Sequence, residues 1–352
     1  MKKMKIGSYS ISEKDPAFII AELSCNHLQN YELAEKTVLA IKEAGADAVK
    51  LQTYTPDTIT LDSDNDIFKI NHGTIWDSKT FYELYKDTYT PWEWQPKLKK
   101  LAESVGLECF SSPFDKTSVD FLEEMDVPAY KIASFEITDI PLIKYIASKN
   151  KPIILSTGIA ELEDIRLALE TIYSAGNNQV ALLKCTSAYP AKAEEANLLC
   201  IKSLAKEFDV LVGISDHTLG DTVPVVSVAL GAKIIEKHFI LNRADGGADA
   251  EFSMEPHEFK QMVQNVRTAE AALGDGEYQL SKRAMKSREF ARSLFIVSDV
   301  KKGETITENS LRSIRPFGGM HPKYFDEIIG QKAVCDIKKG TPASFELFER
   351  CK

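Results

Sequence analysis

The sequence predicts an α/β protein, a (β/α)8 TIM barrel followed by a small, mostly β C-terminal domain. Eight short apolar runs alternate with helix-like segments over about 270 residues, which matches the strand number and length of such a barrel. A doubly wound open sheet is the alternative, but no glycine-rich dinucleotide fingerprint follows the first strand. After residue 275 the pattern changes to short strands with Lys-Gly turns, which indicates a second domain.

The predicted strands are short runs with apolar centres. In chain order they are FIIAEL (18–23), AVKLQTY (48–54), ECFSSP (108–113), AYKIAS (129–134), PIILST (152–157), ALLKCTS (181–187), LVGISDH (211–217) and KIIEKHF (233–239). The segments between them carry apolar residues at i, i+3 and i+4, as in YELAEKTVLAIKEAG (31–45) and LEDIRLALETIYSAG (162–176). Their final glycines, Gly45 and Gly176, are typical of helix C-caps. The connection at 55–80 is unusually long, and it is either a functional lid or a surface insertion.

We divide the chain into a catalytic barrel at 1–275, a linker at 276–290 and a small domain at 291–352. Within the small domain the stretches SDVKKGETIT and CDIKKGTPAS are similar, which predicts pseudo-symmetric halves. A module of about 60 residues is near the lower size limit for independent stability, so we expect it to pack on another surface.

The composition excludes several classes of function. Of the 352 residues 43 are Lys or Arg and 52 are Asp or Glu, a formal net charge of −9, and there is no basic block. Binding to nucleic acid or to an acidic membrane is therefore not expected. The longest apolar runs are too short for a transmembrane helix, and the N-terminus lacks the apolar core and cleavage site of a signal peptide. Six scattered cysteines without a CxxC pair indicate reduced thiols, which favours the cytoplasm.

Polar side chains gather at the C-terminal ends of the predicted strands, where the chemistry of a TIM barrel takes place. In chain order they are Glu22, Asn26, His27, Lys50, Gln52, Tyr54, Ser111, Ser112, Lys131, Ser134, Glu136, Ser156, Thr157, Lys184, Thr186, Ser187, Tyr189, Asp216, His217, Glu236 and His238. Two histidines at successive strand ends could bind a divalent metal through their ring nitrogens. The strand lysines and the serines beside them predict a phosphate or carboxylate site, and Glu22 and Glu136 supply the catalytic acid or base groups.

Each of these interpretations has an alternative. A histidine at a strand end can be a hydrogen-bonded structural residue rather than a metal ligand. A strand lysine, Lys131 or Lys184, can form a Schiff base, as in class I aldolases. Asp216 and Glu236 can serve only to orient their neighbours. The residues by themselves therefore support anionic-substrate, metal-assisted carbon chemistry and no more.

Several motifs together resemble the sialic acid synthase family, whose members condense phosphoenolpyruvate with a sugar to make nine-carbon acids. The motifs are AELSCNH, KLQTYTPD, FSSPFD, AYKIASFE, ILSTGIA, LKCTSAYPA, GISDHTLGD and IEKHFILNR, and they occur in the same order as in that family. The C-terminal DVKKGETIT…RSIRPFGGMHP resembles the antifreeze-like (SAF) domain of these enzymes. The resemblance extends over essentially the whole chain.

Within the family, the stretches IWDSKTFYELYKDTYTPWEW, YKIASFE, FARSL and RPFGGMHPKYF resemble the pseudaminic acid branch more than the N-acetylneuraminate branch. Where the neuraminate enzymes place a sugar-contacting asparagine, this sequence reads GTIWDSK, with Trp76 near that position, and ASFE replaces a more polar run. The resemblance implies condensation of phosphoenolpyruvate with 2,4-diacetamido-2,4,6-trideoxy-L-altrose and cleavage of the phosphoenolpyruvate C–O bond. The alternative substrates are N-acetylmannosamine and the manno diacetamido sugar of legionaminic acid. A Schiff-base aldolase and a non-catalytic carbohydrate-binding protein are the alternatives of other classes.

The resemblance also implies roles for individual residues. His217 and His238 correspond to the ligands of a divalent metal, Mn²⁺ in the first place, with Mg²⁺ and Co²⁺ as alternatives. Glu136 matches a carboxylate at the catalytic mouth. Arg315 matches an arginine that the SAF domain of one subunit inserts into its partner's active site, which implies a domain-swapped homodimer. The positions that match phosphoenolpyruvate-binding residues are Lys50, Ser112, Lys131, Ser134, Ser156 and Ser187, and those that match sugar-binding residues are Glu22, Gln52, Tyr189 and Asp249.

Overall fold

The computed structural model of the chain describes residues 2–71, 73 and 76–349. The chain forms two compact units, Met1–Gly274 and Asp275–Lys352. None of the helices in the described ranges is both long enough and apolar enough to cross a lipid bilayer.

The first unit is a closed barrel of eight parallel strands, so the predicted TIM barrel is confirmed. A two-stranded antiparallel hairpin, β1 (Lys3–Ile6) and β2 (Tyr9–Ser12), precedes it. The barrel strands are β3 (Phe18–Glu22), β4 (Ala48–Thr53), β5 (Glu108–Pro113), β6 (Tyr130–Ile132), β7 (Ile153–Ser156), β8 (Val180–Cys185), β9 (Leu211–Asp216) and β10 (Ile234–His238), and β10 pairs with β3 to close the ring. The strand ends differ from the predicted ones by one or two residues, so that His217 follows β9 and His238 ends β10.

The helices of the first unit surround the barrel. They are α1 (Tyr31–Glu43), α2 (Pro56–Ile59), α3 (Phe81–Thr88), α4 (Gln95–Ser104), α5 (Lys116–Glu124), α6 (Ile140–Ala147), α7 (Leu162–Ser174), α8 (Cys200–Phe208), α9 (Thr222–Ala229) and α10 (Pro256–Leu273). The first of them shows why these segments are helical. The Asn30 side chain accepts a hydrogen bond from Leu33 N at its start, and Gly45 adopts a φ of 91° just beyond its end. Its apolar stripe, which includes Val38 and Ile41, is buried against the barrel.

The predicted long connection at 55–80 contains structure that the sequence analysis did not anticipate. The helix α2 lies within it and α3 begins at its end. A capping box fixes the start of α3, because Glu83 N donates to Thr80 Oγ1 while Thr80 N donates to Glu83 Oε2. The buried Leu84 then faces inward from this helix.

The second unit is a small domain built on β11 (Ser293–Ile296) and β12 (Leu311–Ile314), with the short helices α11 (Lys282–Ser287) and α12 (Phe325–Ile328). Its two similar stretches exchange equivalent contacts. Lys338 Nζ lies 2.8 Å from Asp299 Oδ2, and Lys301 Nζ lies 2.8 Å from Asp336 Oδ2. These paired contacts relate the two halves as the repeated sequence predicts. The domain has an apolar core of its own, which includes Leu294, Ile296, Val300, Ile306, Leu311, Ile328 and Ile337.

Candidate active site

The C-terminal ends of the barrel strands enclose a cavity of about 500 Å³. Its floor is polar and comes from the strands and the loops directly after them. The lining residues with polar or ionisable side chains are Glu22, Ser24, Cys25, Lys50, Gln52, Tyr54, Trp76, Tyr85, Thr88, Lys131, Ser134, Glu136, Ser156, Cys185, Tyr189, Ser215, His217, Glu236, His238 and Asp249. Because parallel strands all end at the same face of a barrel, groups that are distant in sequence meet here.

Most of the site residues that the sequence predicts line this cavity. They are Glu22, Lys50, Gln52, Lys131, Ser134, Glu136, Ser156, Tyr189, His217, His238 and Asp249. Ser112 is buried on β5 outside the lining, and Ser187, beside Gly158, is outside it as well. Arg315 is exposed on the second unit. Lys184, the alternative Schiff-base residue, is also outside the lining, whereas Lys131 is within it.

Lys50 and Lys131 belong to a buried cluster of opposite charges on the floor. Lys50 Nζ is 2.9 Å from Glu22 Oε2 and 2.8 Å from Glu236 Oε1. Lys131 Nζ is 3.5 Å from the same oxygen of Glu236 and donates a hydrogen bond to Ser156 Oγ at 2.7 Å. All five side chains are almost completely buried. Two lysines and two glutamates therefore balance each other in a place where an unpaired charge would be costly.

The pairing sets the charge state of these groups. Burial would raise the pKa of Glu22, but Lys50 and His238 hold it well below its ordinary value. Burial also opposes ionisation of Glu236, yet Lys131 and Lys50 lower its pKa as well. For Lys131 burial dominates and lowers the pKa, whereas the two carboxylates raise the pKa of Lys50 despite its burial. Both glutamates are thus anionic near neutral pH.

A recess next to this cluster is lined by hydroxyl groups. The Ser134 hydroxyl oxygen accepts a hydrogen bond from Gly158 N at 3.1 Å. A side chain at Gly158 would collide with the recess, because an added Cβ would lie 2.1 Å from Ser187 Oγ and 2.7 Å from Ser134 Oγ. The thiol of Cys185 lies on the same side, 3.2 Å from that position. Glycine therefore keeps open a recess in which small neutral donors could meet an oxyanion beside Lys131.

The two histidines face each other above the floor. Their ring centroids are 5.3 Å apart, and both rings contact Phe252. His217 Nδ1 lies 3.0 Å from the Thr186 carbonyl oxygen, which can only accept, so this nitrogen carries a proton and Nε2 is the nitrogen left for a ligand. Burial opposes protonation of the ring, but Cys185 and the Thr186 carbonyl raise its pKa. His238 Nε2 is 3.2 Å from Glu22 Oε2. Its Nδ1 is 3.4 Å from Asp249 Oδ2, but it has no hydrogen-bond partner within the described ranges.

This pair fits a divalent metal in part. His217 presents Nε2, and a buried nitrogen of His238 without a hydrogen-bond partner among the described residues would be satisfied by coordination. Imidazole nitrogens with a nearby carboxylate are suitable ligands for divalent transition metals. Within the described ranges, however, no three His, Cys, Asp or Glu side chains form a ready-made cage. The protein therefore supplies two imidazole ligands, and the remaining positions would be left to substrate, water or a carboxylate that moves.

Glu136 has the properties of an acid/base group. It lies in the first turn after β6 and is partly buried, and its Oε2 is a buried atom without a hydrogen-bond partner among the described residues. Burial raises its pKa to about 7, and the charge of Lys131 offsets this only in part. A carboxyl group with such a pKa can take up and release a proton near neutral pH.

Glu236 lies between the two lysines of the floor, although the sequence predicts no more than an orienting role for it. It contacts both lysines of the floor, and it accepts a hydrogen bond from Ser215 Oγ at 3.1 Å. The sequence contains a signal for this position, because residues i and i+2 of a strand share a face and Glu236 stands two positions before His238.

The sequence patterns do not single out Cys185, which also lines the cavity. Burial opposes ionisation of its thiol, but the His217 imidazole lowers its pKa to about 7.

The other side of the cavity is apolar and aromatic, and most of it comes from the long connection after β4. Its residues are Tyr54, Ile59, Ile70, Trp76, Phe81, Leu84, Tyr85, Phe114 and Phe135. Trp76 Nε1 donates to the Ala248 carbonyl oxygen at 3.0 Å, which ties this connection to the loop after β10. The connection is therefore part of the cavity wall rather than a surface insertion without contacts to the site.

A second buried ion pair lies behind the histidines, on the outer face of the barrel. Lys237 Nζ is 2.7 Å from Asp216 Oδ2 and also donates to the Thr218 carbonyl oxygen. Asp216 accepts hydrogen bonds from Thr218 N and Thr218 Oγ1, both at 3.0 Å. Because Asp216 precedes His217 and Lys237 precedes His238, this pair joins the two strand ends that carry the imidazoles.

Lys237→Met is expected to lower the free energy of unfolding by about 3 kcal/mol, because it leaves Asp216 buried without its partner. Urea denaturation measures the loss, with Lys260→Met on the exposed side of α10 as the matched control. Asp216→Asn combined with Lys237→Met is expected to cost less than the sum of the single changes. Strictly additive losses would contradict the pairing.

A TIM barrel with buried lysines, hydroxyl donors, paired imidazoles and a carboxyl group of raised pKa at its mouth defines an enzyme for an anionic substrate. The chain belongs to the NeuB family, which it matches over residues 37–278, and residues 291–349 match the SAF domain. The predicted resemblance to the sialic acid synthases is confirmed, and so is the predicted SAF domain.

The relatives extend over nearly the full length of the chain. The pseudaminic acid synthase of Campylobacter jejuni is 48% identical over 337 residues, which cover 96% of this chain and 97% of that protein. The N,N'-diacetyllegionaminic acid synthase of Legionella pneumophila is 39% identical and covers 94% of each chain. Among solved structures, the N-acetylneuraminic acid synthetase of Leptospira borgpetersenii in complex with citrate is similar with a TM-score of 0.73 at 29% identity, over 81% of this chain and 95% of that one. The prediction that the chain is closer to the pseudaminic acid branch is thus confirmed.

Proposed function

We propose that the enzyme condenses phosphoenolpyruvate with 2,4-diacetamido-2,4,6-trideoxy-L-altrose to give pseudaminic acid and phosphate. The observation that carries this proposal is the buried pair Lys50 and Lys131 beside a hydroxyl-lined recess, in a chain that is 48% identical to a pseudaminic acid synthase. N-acetylmannosamine and the manno diacetamido sugar are the alternative substrates, and the legionaminic acid synthase at 39% identity supports the second of these.

In this proposal phosphoenolpyruvate lies on the polar floor. Its phosphate and carboxylate draw on Lys50 and Lys131 for charge and on Ser134, Ser156 and Ser187 for neutral donors. Ser112 Oγ is buried outside the cavity lining, without a hydrogen-bond partner in the described part of the chain, so it would need a rearrangement to contribute. Since the floor is already arranged by internal ion pairs, little reorganisation remains for the reaction itself.

The sugar lies above the floor. Gln52, Tyr189 and Asp249 line the cavity there, and Gln52 Nε2 already donates to Glu22 Oε1 at 2.8 Å. Glu22 is held ionised, so it can accept hydrogen bonds from the sugar but cannot donate a proton near neutral pH.

His217 and His238 would hold a divalent metal, with Mn²⁺ proposed first and Mg²⁺ or Co²⁺ as alternatives. When bound, such an ion supplies Lewis-acid polarisation of the aldehyde carbonyl of the open-chain sugar. The protein's own groups then hold the methylene carbon of phosphoenolpyruvate against that carbonyl carbon, so that the new C–C bond forms between them. Water adds at C2 of the former phosphoenolpyruvate, and phosphate leaves by C–O cleavage to give the 2-keto acid.

Glu136 is the group we assign to proton transfer, as the base that takes a proton from the water adding at C2. In that role the ionised form is the active one, so kcat rises as pH increases through about 7, the pKa of this carboxyl group. Glu136→Gln is expected to remove this limb of the pH profile and to lower kcat about 100-fold, in the usual range for loss of a general base. If kcat instead falls as pH increases through about 7, and Glu136→Gln removes that fall, Glu136 acts as the acid.

Phosphate release from phosphoenolpyruvate with Mn²⁺ tests the proposed function on three sugars, namely the altro diacetamido-trideoxy sugar, its manno counterpart and N-acetylmannosamine. Turnover with the altro sugar alone supports it, and turnover with only one of the others reassigns the substrate. Trapping with borohydride tests the Schiff-base alternative, because the proposed route forms no imine.

We further propose that the enzyme acts as a domain-swapped homodimer in which Arg315 of each subunit enters the active site of the other. The exposure of Arg315 on the second unit supports this, because the residue is free to contact a partner. Sedimentation equilibrium tests the dimer.

A further inference from the structure

The cavity has two chemically different sides, and the proposed reaction orients the sugar between them. The reacting carbonyl carbon, C1, must lie at the polar floor, close to the lysines and the imidazoles. C6 is the carbon farthest from C1 along the open chain, so it lies away from the floor. We take the surface that it reaches to be the aliphatic and phenyl part of the lining, formed by Ile59, Ile70, Phe81 and Leu84, which we call the apolar roof.

The roof offers a hydroxyl group few partners. Among the polar lining residues of the same connection, Tyr54 and Thr88 bind each other through their hydroxyl groups at 3.0 Å, and Trp76 Nε1 donates to the Ala248 carbonyl oxygen. The further hydroxyl group here is that of Tyr85, whose ring stacks on Phe81. The roof itself is hydrocarbon, with Ile70 and Leu84 buried and Ile59 and Phe81 partly buried. A hydroxyl group pressed against this surface would lose its water without gaining a hydrogen bond.

We propose that the apolar roof selects sugars with a methyl group at C6 and that it does so irrespective of the configuration of the ring carbons. This inference rests on the proposed function, because it takes the position of C1 from it. A 6-deoxy sugar buries its methyl group against the roof, whereas N-acetylmannosamine would bury its 6-hydroxyl group there. The altro and manno diacetamido sugars carry the same methyl group, so they must be distinguished by the polar groups of the floor.

The test uses two probes that differ by one oxygen atom, 2,4-diacetamido-2,4,6-trideoxy-L-altrose and its 6-hydroxy counterpart. Calorimetry gives their dissociation constants, and phosphate release gives their kcat/KM. The wild-type enzyme is expected to prefer the 6-deoxy sugar by up to about 100-fold, the discrimination that an apolar pocket achieves against an added hydroxyl group. Ile59→Asn and Phe81→Asn are expected to reduce this ratio to below about 10-fold and to leave the KM for phosphoenolpyruvate unchanged.

Ile67→Asn is the matched control, because Ile67 belongs to the same connection but is 76% exposed and lies outside the cavity lining. Phe81→Tyr adds a single hydroxyl group with the ring retained, so it tests the roof should the asparagine variants unfold. An unchanged ratio in folded roof variants overturns the inference, even where phosphate release upholds the proposed function. If no phosphate is released but the 6-deoxy sugar still binds more tightly than its 6-hydroxy counterpart, the proposed function fails. Selection of the C6 methyl group by the apolar roof is then still supported.

Discussion

Replacing His238 with alanine is expected to reduce metal-dependent phosphate release at least 1000-fold while the barrel remains folded. The change removes one of the two imidazoles that the site offers, and it leaves the buried carboxylates of Glu22 and Asp249 without the ring between them. A catalytic metal held by too few protein ligands is bound weakly and loses its position. The measurement is phosphate release over a Mn²⁺ titration, together with the electron paramagnetic resonance signal of bound Mn²⁺.

The control for this variant is His257→Ala. His257 is on α10 with a side chain that is 76% exposed, so its loss should change neither Mn²⁺ binding nor turnover. The circular dichroism spectrum of His238→Ala should equal that of the wild-type enzyme. Full activity of a folded His238→Ala enzyme, or unchanged Mn²⁺ binding, would contradict the metal assignment.

The barrel and the polar floor could be predicted because they follow from local patterns. Alternation along a strand places Lys50 and Gln52 on one face, and the closing geometry of a TIM barrel brings all C-terminal strand ends together. The same rule places Glu236 beside His238 on the inner face of β10. The alternation of side chains along a strand does not determine which other side chain each polar group contacts. The bond between Lys50 and Glu236 joins residues 186 positions apart, and only the folded barrel determines it.

The apolar side of the cavity could not be predicted for a related reason. The connection after β4 has no long periodic pattern, and its short helices α2 and α3 are fixed by capping contacts and by packing over the mouth. The N-terminal hairpin was missed as well, because its strands have only four residues each and are stabilised by tertiary packing. Met4, Ile6 and Ile11 of this hairpin join the core cluster that contains Phe18 and Phe110. Short elements of this kind depend on contacts that are remote in sequence.

Lys131→Met is expected to lower kcat/KM for phosphoenolpyruvate at least 1000-fold, a loss of about 4 kcal/mol, with little change in sugar binding. The substitution keeps most of the side-chain volume but removes the buried charge that bonds Ser156 Oγ and neighbours Glu236. Without it, the anion would meet the carboxylate of Glu236 with only Lys50 to balance it. The measurements are steady-state kinetics with phosphoenolpyruvate varied and calorimetry with each substrate alone.

Lys184→Met provides the comparison that decides why a lysine is needed. Lys184 is half-buried on β8, two strands from Lys131 in the barrel, and its Nζ donates to Thr186 Oγ1 at 2.7 Å outside the cavity lining. Its replacement should leave kcat/KM for phosphoenolpyruvate within about threefold of wild type, a change of under 1 kcal/mol. If Lys131→Arg restores part of the activity that Lys131→Met loses, the residue acts as a cation, because a guanidinium group keeps its charge but cannot form an imine. Failure of arginine to rescue, combined with an adduct on Lys131 after borohydride reduction, would instead make Lys131 the nucleophile of a Schiff-base enzyme, and the ion pairs of the floor would then serve to tune that amine.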